Sequence, residues 1–282
     1  MMEDSASLSQ FLQAWDLFRD PVVAGTVAGA VLGWMGVSVV LGRMVFLSAA
    51  LSQAAGLGVV AAFFIGGIAG WTLSPWVGAV VFTGVAALLL TGRDRGFWSR
   101  EVRLALVYLA GAAGTLVIGS RVVGEIHDVQ TLLFGSAVAV RPEDLRVLLL
   151  VLLPLWAVQV WWARGLRLAL FRPEAAAVRG LPVPWLQAFT LITLTLSLSL
   201  ATRVIGALPV FAFSVLPATA AIAVSPSVAF AQWVALLSGA LAGFLGYVLA
   251  FLWSLPVGPT QALLAVVLAL LAGLLRRLVL RW

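Results

Sequence analysis

The organisation of this chain is set by one stretch in its second half, Phe171-Arg172-Pro173-Glu174-Ala175-Ala176-Ala177-Val178-Arg179-Gly180-Leu181-Pro182. We call residues 171–182 the central polar segment. It follows an apolar run, and from residue 180 to residue 275 the only charged residue is Arg203. Proline is favoured at the first helical position, an acidic residue in the first turn, and glycine just after the last turn. Pro173, Glu174 and Gly180 therefore predict a short helix.

A short polar helix between two apolar runs has two interpretations. It can be a plain loop outside the membrane, or a surface on which a soluble partner docks. A motif by itself is only a hypothesis, so the chemistry of the segment alone favours the plain loop.

The composition places the chain in the membrane. It is 63% hydrophobic and 10% charged, and its mean hydropathy is +1.12. A run of roughly 18 or more apolar residues is a candidate transmembrane span. Charge-free runs cover 21–42, 44–92, 104–120, 147–163 and 204–275. The chain is therefore predicted to be an all-α polytopic membrane protein.

The longest runs hold more than one span each, which gives eight or nine transmembrane helices. The predicted spans are 22–42, 45–67, 71–91, 104–120, 147–163, 185–202, 205–222, 228–252 and 261–275. Pro209 and Pro217 could break the seventh. Before the first span, residues 5–19 have the spacing of an amphipathic helix at the membrane surface. We therefore divide the chain into an N-terminal segment, 1–20, and one transmembrane domain, 21–282.

The positive charge of the chain is explained by membrane orientation. All 17 basic residues are arginines, and the formal net charge is +6. They lie at the ends of apolar runs, as orientation signals do, so nucleic-acid binding is not expected. There is no cysteine, which excludes disulfides and thiolate metal sites. The first 20 residues lack the basic and apolar regions of a signal peptide.

Counting arginines on alternate sides of the nine spans gives twelve against five. The larger group comprises Arg43, Arg93, Arg95, Arg100, Arg103, Arg164, Arg167, Arg172, Arg179, Arg276, Arg277 and Arg281. Arginine is enriched in cytoplasmic loops. The count therefore predicts that the central polar segment and the C-terminus are cytoplasmic.

Small residues recur at helical spacing within two spans. Gly25, Gly29, Gly33 and Gly36 lie on one face of the first span, and Gly239, Gly243 and Gly246 on one face of the eighth. Such faces allow helix backbones to pack closely, which is favoured over a pore-lining role. The hydroxyl residues between Thr190 and Thr202 are expected to form hydrogen bonds between helices rather than a polar path.

All eleven acidic residues and the single histidine, His127, fall outside the predicted spans. Ionisable groups inside a membrane usually mark ion or proton pathways. Their absence from the spans argues against a proton-coupled transporter and against an intramembrane enzyme. Energy for any transport must then come from another subunit.

Four segments resemble the permease subunits of ABC-type zinc, manganese and iron uptake systems, which are type II importers related to the vitamin B12 permease. The likeness covers about residues 20–275 and rests on the order and spacing of these segments together. They are the stretch 41–55, the pattern 133–136 with 142–145, the central polar segment, and the stretches 204–206, 216–220 and 255–260.

This resemblance reverses the preference for a plain loop. It implies that residues 172–182 form the coupling helix that docks on an ATPase, with Arg172, Glu174, Arg179, Gly180 and Pro182 as the docking residues. The chain has no phosphate-binding Gly-x-x-x-x-Gly-Lys-(Ser/Thr) motif, so it is not expected to bind ATP or any cofactor.

The same resemblance implies the partners and the location of the chain. A permease of this kind pairs with a second copy of itself, two cytoplasmic ABC ATPase subunits and an extracytoplasmic substrate-binding protein. It lies in the cell membrane, in contact with lipid.

The chain departs from the family pattern along the expected metal path. The Asp and the His of the family's first motif align with Ala49 and Gln53. Zinc prefers His, Cys or carboxylate ligands and manganese prefers oxygen ligands. Gln53, Ser48 and Ser52 remain the candidate path residues.

The outer cluster Glu125, His127 and Asp128 could relay a metal ion. Loop charges of this kind can also be solvated, or can contact a binding protein.

Several functions remain compatible with these residues. The first is a permease that moves divalent zinc or manganese by alternating access at a homodimer interface. The second is a membrane scaffold or sensor that does not transport. A third is a permease for another cargo, such as a cobalamin or a metal chelate.

Overall fold

The computed structural model describes residues 8–69, 74–91, 98–121 and 140–278, and in these ranges the chain is helical apart from short connections. The helices are α1 (Leu8–Gln13), α2 (Trp15–Leu41), α3 (Val45–Ala69), α4 (Pro75–Thr91), α5 (Arg100–Gly119), α6 (Pro142–Trp161), α7 (Ala163–Phe171), α8 (Pro173–Val178), α9 (Val183–Ile205), α10 (Ala207–Val224), α11 (Val228–Leu252) and α12 (Val257–Leu278). The all-α membrane fold predicted from the sequence is confirmed.

Each of the nine predicted spans corresponds to one helix. Within the described ranges, eight helices are long and apolar enough to cross a membrane, and α4, with 17 residues, is slightly shorter. The seventh span is one continuous helix, α10, although Pro217 lies inside it. Pro209 lies in the first turn, where a backbone N–H needs no helical partner. The break suggested by these prolines does not occur.

Several helices begin before their predicted spans, among them α5 and α6. The fourth and fifth spans were expected to start at 104 and 147, whereas α5 starts at Arg100 and α6 at Pro142. The Ser99 side chain accepts a hydrogen bond from the Val102 amide, 3.4 Å away, and so caps α5. Pro142 occupies the first helical position of α6. Sequence hydropathy misses these first turns because they are polar.

The long helices form two units. Unit I comprises α3, α4, α5 and α9, with the short helices α7 and α8, and unit II comprises α2, α10, α11 and α12, with α1. Each of these helices packs mainly within its own unit, whereas α6 packs against both α2 and α9. The chain crosses directly between the units twice, at residues 42–44 and at Gly206.

The pair α2 and α11 shows the closest packing of unit II. A Cβ atom added to Gly29 would overlap the backbone carbonyl of Gly239, and one added to Gly25, 3.8 Å from the Gly243 oxygen, would meet the Gln261 amide nitrogen at 2.7 Å. A Cβ on Gly243 would in turn overlap the Gly25 carbonyl. The predicted close packing of these two glycine faces is confirmed, since only a hydrogen fits between the backbones.

Glycines also bring helix backbones into contact in unit I. A Cβ atom on either Gly58 of α3 or Gly78 of α4 would overlap the carbonyl oxygen of the other. A Cβ on Gly111 of α5 would lie 2.7 Å from the carbonyl carbon of Gln53. Small residues therefore set the spacing of α3, α4 and α5.

The N-terminal segment packs on the helical bundle through aromatic rings. The predicted helix 5–19 is divided at Ala14 into α1 and the first turn of α2. Phe11 and Phe18 are buried, and their ring centroids lie 5.2 Å and 4.9 Å from the ring of Phe251 on α11. Residues 1–7 lie outside the described ranges, and the division at residue 20 remains a prediction.

The glycine contact of α2 with α11 generates a stability prediction. We expect Gly29→Val to lower the thermal unfolding midpoint of the purified protein in detergent by several degrees, because overpacking costs about 1–3 kcal/mol. Gly84→Val on α4 is the matched control, since no atom lies within 4 Å of the added Cβ. Equal midpoints for the two variants would contradict the assignment of this contact.

Candidate functional site

The central polar segment contains the predicted short helix, α8. Pro173 starts this helix and Glu174 lies in its first turn. Gly180 has a φ of 73°, a left-handed conformation that favours glycine. The amides of Gly180 and Leu181 donate to the carbonyl oxygens of Ala177 and Ala176, at 2.9 and 3.0 Å, and so close the helix C-terminus. The sequence prediction of helix start and stop is confirmed.

One buried residue holds α8 on the bundle. Ala176 is fully buried and packs with Leu166 and Ala169 of α7 and with Leu186 of α9. All five residues of the predicted docking set are exposed: Arg172, Glu174, Arg179, Gly180 and Pro182. Val178 is 89% exposed. The helix therefore presents a charged and apolar surface that the described part of the chain leaves exposed.

An aromatic groove lies beside α8. Trp162 and Trp185 have ring centroids 5.0 Å apart, and Trp185 stacks on Phe189 at 5.5 Å. With Gly165, Leu181, Pro182 and Leu186, the two tryptophans line an open groove of about 670 Å³. Tryptophans are enriched at membrane interfaces, so this cluster indicates the depth at which the membrane ends and α8 begins.

Arg167 of α7 reaches the neighbouring unit. Its guanidinium donates to the Gln232 side-chain oxygen of α11 at 2.6 Å. Partial burial, and to a lesser extent the charge of Arg164, lower the pKa of Arg167. This contact ties the segment that precedes α8 to unit II.

The candidate path residues Ser48 and Ser52 are buried inside α3. The Ser52 hydroxyl donates to the Ser48 carbonyl oxygen, and the Ser48 hydroxyl to that of Val45, both at 2.8 Å. The hydroxyls of Ser214 on α10 and Ser48 lie 3.2 Å apart. Both path serines are fully buried, and their role in a transport path remains a prediction.

Gln53 follows Ser52 directly in α3 and lies against α5. Its backbone packs on Gly111, and its side-chain oxygen is buried and has no hydrogen-bond partner among the described residues. Since a buried amide oxygen normally has a partner, this oxygen has unused capacity to accept a hydrogen bond or to approach a cation.

A cavity of about 580 Å³ lies between α3, α5 and α10. Ala49, where the resemblance places a metal ligand, is part of its wall. The other lining residues are Phe46, Glu101, Leu104, Ala105, Tyr108, Leu109 and Phe211. Glu101 is the carboxylate among them, and the rest of the wall is apolar except for the Tyr108 hydroxyl. Glu101 was not among the predicted site residues, because it lies in the polar first turn of α5, before the predicted span begins.

The hydroxyl residues of α9 are buried, and those of Thr190, Thr193 and Ser199 bond within their own helix. Among the described residues, the hydroxyls of Thr195, Ser197 and Thr202 have no hydrogen-bond partner. The Thr190 hydroxyl donates to the Leu186 carbonyl at 2.9 Å, and the Ser199 hydroxyl to that of Leu196 at 3.0 Å. Thr193 also accepts a hydrogen bond from Gln159 of α6, at 2.5 Å. The expected hydrogen bonding between helices is therefore found at Thr193, and not as a general property of the series.

The predicted metal residues Glu125, His127 and Asp128 lie outside the described residues, so their role remains a prediction. Among the described residues, no group of three His, Cys, Asp or Glu side chains could hold a metal ion. The described ranges therefore offer a cation isolated oxygen atoms rather than a preformed site.

One ionic contact was not anticipated. Asp144, expected in an outer loop, lies in the first turn of α6 with a buried side chain. Its carboxylate is 3.7 Å from the guanidinium of Arg203 on α9. The guanidinium is also 5.9 Å from the ring centroids of both Phe63 on α3 and Trp76 on α4. Arg203 thus joins four helices, and its isolation in a long charge-free run was the sequence signal for it.

Comparisons with known proteins agree with these features. The profile of the ABC 3 transport family matches residues 14–276. The manganese transport system membrane protein MntC of Halalkalibacterium halodurans is 25% identical over 93% of this chain and 88% of its own length. The high-affinity zinc uptake system membrane protein ZnuB of Haemophilus influenzae is 23% identical over 73% and 77%.

A solved structure has the same fold. It is that of PsaBC from Streptococcus pneumoniae in complex with Fab, with a TM-score of 0.80 and 22% identity. The superposition covers 94% of this chain and 95% of that chain. The two proteins therefore share the arrangement of their helices.

The ion pair of Arg203 yields a prediction. We expect Asp144→Ala to lower the thermal unfolding midpoint in detergent, because an unpaired buried polar group costs about 1–3 kcal/mol or more. The double variant Asp144→Leu with Arg203→Leu should recover most of the loss, since it removes both charges. Glu143→Ala, which removes the neighbouring exposed carboxylate, is the control. A double variant as unstable as Asp144→Ala would contradict the pairing.

Proposed function

This chain belongs to the ABC 3 transport family, and we propose that it is the permease of an ATP-driven importer of a divalent metal ion, manganese or zinc. The observation that carries the proposal is α8, which exposes Glu174 and Arg179 at one end of a bundle of long apolar helices. A separate cytoplasmic ABC ATPase would dock on α8, bind ATP and hydrolyse it. The manganese and zinc systems named among the relatives support the choice of cargo.

The proposed orientation places α8 and the C-terminus in the cytoplasm. The excess of arginines on that side, twelve against five, supports it. The Arg203 end of the bundle then faces outward. An extracytoplasmic binding protein would deliver the cargo there, where the loop with Glu125, His127 and Asp128 would meet it.

A second copy of the chain would complete the path. The cavity beside Ala49 is walled by α3, α5 and α10 of one chain and is open on its remaining side. The helix α5 also exposes large apolar side chains, including Leu109 at 61% and Val117 at 66%. A homodimer that closes this side would enclose the cavity and allow alternating access. The same apolar surface can also face lipid.

The cavity wall bears on the cargo. Ala49 offers no ligand, Gln53 offers a neutral oxygen and Glu101 offers one carboxylate, so a divalent ion would keep much of its water while it passes. The largely apolar wall favours a second candidate within transport, a metal chelate or another organic cargo. ATP-dependent uptake of free manganese or zinc would show that the cargo is the metal ion rather than a chelate or another organic molecule.

The coupling role of α8 is tested by charge reversal. We expect Glu174→Arg to abolish ATP-dependent manganese and zinc uptake into proteoliposomes that contain the chain, its ATPase and its binding protein. The reason is that the exposed carboxylate would contact the ATPase and the reversed charge would repel the same partner. The measurement is metal uptake together with co-purification of the ATPase.

The matched control is Glu143→Arg, which reverses an exposed glutamate in the first turn of α6, at the Arg203 end of the bundle. We expect this variant to retain the ATPase. Unchanged uptake by Glu174→Arg would remove the docking role of α8, and absence of uptake by the unaltered complex would remove the metal cargo.

The path role of Ala49 and Gln53 gives a further prediction. The double variant Ala49→Asp with Gln53→His places a carboxylate and an imidazole one helical turn apart on α3. Zinc binds both of these groups well, and manganese prefers oxygen. We expect the ratio of zinc to manganese uptake to rise. An unchanged ratio would show that these positions do not contact the cargo.

A further inference from the structure

We propose that units I and II move as rigid bodies relative to each other, with Arg43 and Gly206 as pivots, and that this movement opens and closes the cavity beside Ala49. The inference rests on the proposed transport function and specifies which parts of the chain would move. Ser48 of unit I and Ser214 of unit II form one of the contacts across the boundary.

The packing within each unit supports rigid movement. In unit II the glycines of α2 and α11 bring the two backbones into contact, and Gln261 of α12 donates to the Gly243 carbonyl of α11 at 2.8 Å. In unit I, Gly58 and Gly78 do the same for α3 and α4. Interfaces without side chains between the backbones deform little, so the contacts within a unit change less readily than those between units.

The boundary between the units carries fewer contacts than the interior of either unit. Buried apolar residues of α2, α3, α9 and α10 meet across it in one shared core. The helices α4, α5, α11 and α12 have their substantial contacts within their own unit or with α6. The side-chain hydrogen bonds that cross the boundary include Ser214 to Ser48 and Arg167 to Gln232. Both are single contacts, and each can exchange its partner for water when the units separate.

The two direct crossings of the chain have the backbone of pivots. Arg43, between α2 and α3, has a φ of 55°, and Gly206, between α9 and α10, has a φ of 89° with a ψ of 160°. Gly206 ends one helix, and the next begins at Ala207 in the other unit. A residue at the end of a helix can absorb a change in φ and ψ without disturbing either helix.

The helix α6 contacts both units and must bend if they move. Its Trp156 packs on Trp34 of α2 with ring centroids 6.1 Å apart, and its Asp144 pairs with Arg203 of unit I. Pro154 lies between these two contacts. A proline inside a helix removes one backbone hydrogen bond and permits a kink, so α6 can remain attached to both units.

The cavity lies on this boundary. Phe46 and Ala49 belong to α3 of unit I, and Phe211 belongs to α10 of unit II. Ala207, next to the pivot Gly206, lies 4.0 Å from a Cβ placed on Gly56 of α3. Because α8 is fixed to unit I by Ala176, a force applied to α8 would rotate unit I and change the distance between Ala49 and Phe211.

The absence of cysteine from the chain allows a direct test by cross-linking. The Ser48 and Ser214 hydroxyls are 3.2 Å apart, which is within reach of a disulfide after Ser48→Cys with Ser214→Cys. The control is Gly56→Cys with Thr115→Cys, since a Cβ on Gly56 lies 3.6 Å from the Thr115 hydroxyl. Both control residues are buried within unit I.

Each double variant is assembled with its ATPase and binding protein, oxidised, and assayed for ATP-dependent manganese and zinc uptake. Oxidation of the Ser48–Ser214 pair is expected to lower uptake about tenfold or more, with recovery under reductant, because the cross-link blocks a required movement. The oxidised control should transport as its reduced form does. Uptake that survives oxidation of the first pair, or is lost equally in both, overturns the proposal.

A second measurement covers the case in which the Ser48–Ser214 variant does not fold or does not cross-link. Ala49→Cys places one thiol in the cavity wall, and its alkylation rate is compared without nucleotide and with ATP and vanadate. A several-fold change supports movement of the units, and equal rates overturn it. Absence of uptake in the unaltered complex contradicts the transport function, whereas the thiol measurement still reports on the movement.

Discussion

The close approach of α2 and α11 is the constraint on which the rest of the bundle depends. In a membrane there is no hydrophobic force between helices, so their association relies on packing and on a few polar contacts. The glycines from Gly25 to Gly36 give α2 a side without side chains, and α11 and α10 lie against it. The remaining helices of unit II are positioned by this pair.

Polar contacts fix the positions of helix ends that close packing alone does not determine. Arg203 is the single charge in a long apolar stretch, and its pairing with Asp144 fixes the ends of α6 and α9 beside the rings of Phe63 and Trp76. At the opposite end Ala176 seats α8. The bundle is therefore fixed by one ionic contact at one end and by a small apolar contact at the other.

Much of the fold could be predicted from the sequence. Hydropathy located nine helices because the bilayer requires long apolar runs, and the spacing of Pro173, Glu174 and Gly180 gave the start and end of α8. The glycine faces were identified, but not which face meets which. The pairing of Asp144 with Arg203 and the position of Glu101 in the cavity wall depend on contacts between distant segments, which periodicity does not encode. Ser48 illustrates the same limit, because its place on α3 does not reveal that its hydroxyl meets that of Ser214 on α10.

The contact between α2 and α11 also constrains how the protein is made. Gly29 and Gly239 lie at opposite ends of the chain, so the glycine side of α2 enters the membrane about 200 residues before its partner exists. At about 5–20 residues per second of synthesis, that side is without α11 for on the order of 10 to 40 seconds. During this interval lipid, or a membrane chaperone, must cover it, and the lipid must then be displaced when α11 arrives.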